Sequence, residues 1–167
     1  MDFHKLIKKF SLTTDFKAPT TLNYEDLVAT PLTRADLKAD VEAVNSSIET
    51  IRSTRGGPWP EKEVDEEFNE LDLAWHEREF REGTSFAYII HDTSNKYIDC
   101  FYLYPLGGER TELTADLMNY DVDANWWVTT EAFNAGYYKK VYEAINIWLK
   151  ENFPFKEIYY SNHVIPK

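Results

Sequence analysis

Residues 121–150, DVDANWWVTTEAFNAGYYKKVYEAINIWLK, constrain the fold more than any other stretch of the chain. Val122, Ala124, Trp126 and Val128 recur with the two-residue period of a strand. After Gly136 the apolar residues Tyr138, Val141, Tyr142, Ile145, Trp148 and Leu149 fall on one face of a helix. A strand that feeds a helix through a glycine turn leaves free backbone N–H groups at the helix start. Those groups and the helix dipole together form a site for an anion. The turn therefore suggests a ligand that bears phosphate; the alternative is that Gly136 serves the turn alone.

The rest of the chain supplies partners for this unit. Residues 25–32 (EDLVATPL) read as a first strand, with Thr33 as N-cap and Asp36 in the capping-box position of the helix that follows. Leu37, Val41, Val44, Ile48 and Ile51 mark one face of that helix. A loop carrying Gly56-Gly57-Pro58-Trp59-Pro60 precedes a second helix, for which Pro60 suits the first turn. Val64, Phe68, Leu71 and Trp75 give its apolar face, and Gly83 its C-cap. Residues 84–91 (TSFAYIIH) and 97–104 (YIDCFYLY) form a hairpin about Asp92-Thr93-Ser94-Asn95. Residues 105–120 are a long loop, of a length that is often functional. Residues 155–161 (FKEIYYS) are a last strand, parallel to that of residues 122–128 through a right-handed crossover. The order is β-α-α-β-β-β-α-β: an α/β fold with a mixed, mostly antiparallel sheet flanked by helices. Residues 25–167 form this domain. Residues 1–24, where Phe3, Leu6, Ile7 and Phe10 have helical spacing, form an arm or extension.

Composition excludes several classes of function. With 43% hydrophobic and 16% aromatic residues the chain packs a core rather than staying disordered. It has no apolar run of membrane-spanning length and no signal-peptide pattern. The single Cys100 forms no internal disulfide, and no Cys/His cluster has zinc spacing, so no metal and a cytoplasmic location are expected. A net charge of −11 argues against a nucleic-acid surface. Residues 61–82 hold ten acids and three bases, −7 of that total. Two readings stay open for this rim: the solvated face of one helix, or an attractor for a cationic amine.

The same central stretch resembles the GCN5-related N-acetyltransferase (GNAT) family. There a strand ending like Y-W-V-x-P-E leads into a Q/R-x-x-G-x-G/A turn and a helix. Here Trp126-Trp127-Val128 and Glu131 stand for the strand end, and Phe133-Asn134-Ala135-Gly136-Tyr137-Tyr138 for the turn. Gly136 fits; Phe133 replaces Gln or Arg, and Tyr138 replaces a small residue. The element order fits from residue 26 to 161. The chain is most similar to a divergent branch with a WP start to the second helix, a WH-x-x-EF segment and a SFAY strand. The family pattern continues after the last parallel strand with a helix and two more strands, whereas residues 162–167 alone follow here. Residues 1–24 filling that space, and a second subunit in a homodimer filling it, are both open.

What the resemblance implies is an acyl-CoA N-acyltransferase fold and transfer of an acetyl group from acetyl-CoA to a primary amine, on a small molecule or a peptide. The amine would attack directly in a ternary complex. Trp127, Val128 and Thr129 would supply the backbone donors for the thioester oxygen, and Asn134, Ala135, Gly136, Tyr137 and Tyr138 would cradle the diphosphate. Tyr138 would block the diphosphate, bind it through its hydroxyl, or point away on the core face of its helix; its spacing with Tyr142 and Ile145 favours the last. Asp123 aligns as general base, and Tyr160 or His163 as the acid that protonates the leaving thiolate. Asp99 and His76 are further candidates; Asp123 and Asp99 also read as ordinary solvent-facing strand acids, His76 as a hydrogen-bonded structural residue, and Cys100 as a packed thiol. The alternative function is a catalytically inactive acyl-CoA-binding or protein-interaction domain of the same fold, and a third reading is an acidic interaction protein using the rim at residues 61–82.

Overall fold

The computed structural model describes residues 6–167; Phe3, part of the helical spacing in the N-terminal arm, lies outside the described residues. Six strands form one sheet in chain order: β1 (Leu22–Tyr24), β2 (Leu27–Pro31), β3 (Phe86–Asp92), β4 (Tyr97–Tyr104), β5 (Val122–Val128) and β6 (Ile158–Tyr160). Every neighbouring pair is antiparallel except β5 and β6, which are parallel. The stretch read as one strand, 25–32, is therefore the second arm of a hairpin that turns at Glu25 and Asp26. The sheet itself begins at Leu22.

Among the described residues five α-helices cover the sheet: α1 (Leu37–Asn45), α2 (Ile48–Arg55), α3 (Glu66–Glu82), α4 (Thr130–Asn134) and α5 (Tyr137–Asn152). None is long and apolar enough to cross a membrane. The pleat sorts β5 into two sets. Val122, Ala124, Trp126 and Val128 pack against Tyr138, Val141, Ile145 and Trp148 of α5. Trp127 packs with Ala43, Val44, Ile51 and Leu73, which belong to α1, α2 and α3. Phe10, Leu12 and Phe16 of the arm join the α5-side core, Phe10 stacking on Phe86 at 5.8 Å.

Two helices differ from their sequence pattern for identifiable reasons. The single helix expected through Ile51 breaks at Ser46-Ser47. The Ser46 hydroxyl bonds back to Ala43 O at 3.1 Å, the local competition that disfavours serine inside helices. Ser47 Oγ accepts the Thr130 N–H at 2.9 Å, and the break turns Ile51, Thr54 and Arg55 toward the interior. α3 starts at Glu66, not at Pro60: Asp65 caps it by accepting from Phe68 N–H at 2.7 Å. Its buried residues are Asn69, Leu73 and His76, whereas Phe68 and Leu71 are 61% and 69% exposed. A polar contact decides the rotation. Asp40 of α1 accepts from Asn69 Nδ2 at 2.8 Å and from the Tyr97 hydroxyl at 2.6 Å, fixing which face of α3 lies inward. Gly83 ends α3 in the left-handed region at φ 72°.

Candidate active site

β5 and β6 stay paired for three residues only, Val122–Ile158, Asp123–Tyr159 and Ala124–Tyr160. One more bond, from Ser161 N–H to Ala124 O at 3.1 Å, ends the ladder. Beyond it the strands part. The N–H of Thr129 points to β4, reaching Ile98 O at 3.1 Å. By alternation Trp126 and Val128 present their backbone groups to the side that β6 has left. Thr129 is thus spent twice, since its hydroxyl also caps α4 by accepting from Ala132 N–H at 3.1 Å.

The edge opened at Trp126 is closed by a side chain. Asn162 accepts the Trp126 N–H through Oδ1 and donates to Trp126 O through Nδ2, both at 3.0 Å. It imitates a further residue of strand pairing where no strand exists. Asn162 Nδ2 also donates to the Tyr138 hydroxyl at 2.8 Å, which in turn donates to Val164 O at 2.5 Å. His163 N–H and Val164 N–H bond to Arg55 O and Thr54 O, each at 2.9 Å, capping the last turn of α2. Residues 161–164 therefore run through the mouth of the β5/β6 divergence.

The turn before α5 has a different character. Asn134, Ala135 and Gly136 are exposed, and a Cβ added at Gly136 would meet no atom within 4 Å. Gly136 sits at φ 87°, a conformation that favours glycine. The turn into α5 thus lies at an open surface, although the N–H groups of Ala135 and Gly136 bond back to Glu131 O and Phe133 O of α4, each at 3.1 Å. Tyr138, standing where a small residue would let a diphosphate approach, turns inward: it is 7% exposed and stacks on Trp126 at 5.0 Å. Burial pushes its hydroxyl up to about 12. Tyr137 bonds to Asp26 Oδ2 at 2.6 Å, away from the turn.

The two proposed proton-transfer residues lie on opposite faces of the sheet. Asp123 shares the face of α1–α3. It is fully buried, and its carboxylate accepts from Ser161 Oγ at 2.5 Å and from Thr111 Oγ1 at 3.4 Å. Burial holds its pKa above the ordinary value despite those donors and the nearby Arg110 charge. Tyr160 is on the α5 face against Trp126 and Tyr142, with its hydroxyl donating to Asn146 Oδ1 at 2.5 Å. Burial raises its pKa as well. Asp99 is buried between Ile90 and Val128 with neither oxygen bonded, and desolvation raises it far above the carboxylate range. Cys100 is a buried thiol, likewise raised by desolvation.

On the α1–α3 side of Asp123 the structure holds a pocket of about 280 Å³ that the sequence pattern did not reveal. Arg55 is 7% exposed and lies over the rings of Trp59 and Tyr102 at 5.4 and 4.7 Å. Its Nε donates to Asn125 Oδ1 at 3.0 Å. Arg110 caps the α2 terminus with Nη2 on Arg55 O at 2.7 Å and binds Ser161 Oγ through Nε at 3.1 Å. His76 forms another wall, 4% exposed, with Asp72 Oδ2 3.5 Å from Nε2. Trp127, expected at the acyl site, faces this layer and donates from Nε1 to the Tyr102 hydroxyl at 3.0 Å.

No family model matches the chain. No curated protein sequence matches it either. Solved structures do. RimL, a ribosomal L7/L12 alpha-N-protein acetyltransferase in complex with coenzyme A, superposes with a TM-score of 0.61 at 11% identity, over 80% of this chain and 70% of its own. The ribosomal-protein-S5-alanine acetyltransferase from Vibrio fischeri gives 0.58 at 8% identity, over 78% and 67%. Spermidine N-acetyltransferase from Vibrio cholerae, in complex with CoA and spermine, gives 0.54 at 16%, over 82% and 71%. At these identities the likeness is one of fold: a mixed six-stranded sheet with helices on both faces, as in GNAT acetyltransferases.

Proposed function

We propose that this GNAT-fold chain is an N-acyltransferase that takes an acetyl group from acetyl-CoA and gives it to a primary amine. The observation that carries the reading is the parting of parallel β5 and β6 after Ala124, next to an exposed turn at Gly136 that leads into α5. The diphosphate would be held at residues 134–138, where the local charge favours an anion; the N–H groups of Ala135 and Gly136 are already bonded to Glu131 O and Phe133 O, each at 3.1 Å, so Tyr137 and Tyr138 are the preferred donors. The acyl arm would lie along the Trp126–Val128 edge. The residues fit this donor in one part and obstruct it in another, because Asn162 holds the Trp126 groups that the arm would use. Donor binding then requires residues 161–164 to give way. The proposed site residues are Trp127, Val128 and Thr129 at the acyl end, Asn134 to Tyr138 at the diphosphate, and Asp123 and Tyr160 for proton transfer. Val128 is the preferred donor, since the Thr129 N–H is already bonded.

In the reaction the amine nitrogen forms a bond to the thioester carbonyl carbon as the carbon–sulfur bond breaks. The amine proton leaves to a base and the thiolate takes up a proton. Asp123 suits the base, since a raised carboxyl lies closer to working pH and Ser161 Oγ already bridges to it. The relatives of this fold act on protein and polyamine amines, so N-terminal peptides and spermidine are the first acceptors to try. Release of free CoA from acetyl-CoA, dependent on both acceptor and protein, is the expected result. No release with any amine of a broad panel, together with saturable CoA binding, would favour the second reading: a non-catalytic ligand-binding domain. The observation behind that reading is the closure of the groove by Asn162 and Tyr138.

A further inference from the structure

The pocket on the α1–α3 side carries two arginines without a direct carboxylate partner, although the Asp123 charge acts on Arg110 across the Ser161 hydroxyl. Among the described residues, neither Arg55 nor Arg110 makes an ion pair. Arg55 spends only its Nε on a protein acceptor, the neutral Asn125. Its Nη nitrogens have none, yet the residue is more than nine-tenths buried. Arg110 is bonded to neutral oxygens alone: Ser161 Oγ and O, Gly56 O and Arg55 O. Burial and repulsion from Arg55 bring its pKa down to about 10. A guanidinium fork is shaped to take a carboxylate in two parallel hydrogen bonds, and the Arg55 Nη nitrogens are free to do so. The same pocket is lined by groups of the opposite sign, Asp72 and Glu109, and by His76, whose buried Nδ1 has no partner. Trp59 offers an apolar wall.

We infer that this pocket binds a small zwitterion of the amino-acid class, its carboxylate on the Nη nitrogens of Arg55 and its ammonium group toward Asp72 and Glu109. A volume of about 280 Å³ has room for a free amino acid. Arg110 sets the positive end, and Trp59 and Tyr102 flank the guanidinium so that its plane is fixed before the ligand arrives. Binding stands apart from acyl transfer. Only the further step, that the bound amino group is the acceptor, rests on the proposed acyltransferase function.

The test is calorimetric and thermal titration of the full chain with the standard free L-amino acids, their C-terminal amides and inorganic phosphate. Saturable binding of at least one amino acid is expected, at least tenfold weaker for its amide and at least tenfold weaker in Arg55→Gln. In wild-type protein the ligand should also shift the Arg55 side-chain 15Nε resonance, a readout that survives if the variant folds poorly. Equal binding of acid and amide, binding of phosphate alone, or no binding by any amino acid at 10 mM each overturns the inference. These outcomes are independent of acetyl-CoA titration, so failure here and failure of the acyltransferase reading are separable.

Discussion

Asn162→Ala should move stability and donor affinity in opposite directions. The side chain makes three hydrogen bonds, two to the Trp126 backbone and one to the Tyr138 hydroxyl, and is itself 7% exposed. At a net worth of about 1 kcal/mol each, losing them costs about 3 kcal/mol. For a chain of this size that lowers Tm by about 6–12 °C. A donor arm on the β5 edge must displace those same bonds. Removing them beforehand lifts that cost. Returning half of the 3 kcal/mol raises affinity about tenfold, and returning all of it about a hundredfold. Thermal unfolding and calorimetric titration with acetyl-CoA, run on wild type and variant, give both quantities. A lower Tm with unchanged or weaker acetyl-CoA binding would refute the idea that Asn162 and the donor share the Trp126 edge.

Three further perturbations follow from the geometry. Asp99 keeps its proton when folded and loses it near its ordinary value of 3.8 when unfolded. Above that pH the unfolded chain binds fewer protons, so stability falls as pH rises, by about 1.4 kcal/mol per unit until the folded group itself ionises. Asp99→Asn removes this contribution, so the Tm gap between variant and wild type should widen by about 3–5 °C per pH unit; parallel profiles would show that Asp99 is not a buried neutral acid. Gly136→Glu puts bulk and negative charge at the start of α5, and should weaken acetyl-CoA binding at least tenfold, whereas Gly136→Asn, which tolerates positive φ, should cost far less. Equal affinities in the two variants would remove the diphosphate from that turn. Asp123→Asn should lower kcat by about a hundredfold or more with little change in acetyl-CoA affinity; full turnover would exclude Asp123 as base.

What sequence pattern reveals is the set of contacts within one element and between close neighbours. The alternation in residues 122–128 and the 3.6-residue period after Gly136 carry over into β5 and α5 because each element buries one continuous face. The hairpin of β3 and β4 is equally legible, since Asp92 Oδ1 closes its turn on Ser94 and Lys96 N–H groups. The inner face of α3 is not, because it is chosen by Asn69 reaching Asp40 and not by its apolar residues. The break at Ser46-Ser47 depends on a partner 83 residues away, Thr130. The candidate site is harder still. Asn162 acts as a substitute strand residue only because β6 ends at Tyr160, and an asparagine after a strand carries no such mark in sequence. Arg55 and Arg110 look like surface charges until the fold places them together in one pocket with Trp59. Tyr138 is the opposite case: its place on the helix period already points inward, and its ring stacks there on Trp126.

The central claim is that the divergence of β5 from β6, with the open turn at Gly136, is a donor site. Calorimetric titration of the full chain with acetyl-CoA and with CoA tests it most directly. Saturable binding of both with micromolar Kd is predicted, tighter in Asn162→Ala and weaker in Gly136→Glu. No heat up to millimolar ligand, in the wild type and in Asn162→Ala alike, would contradict it.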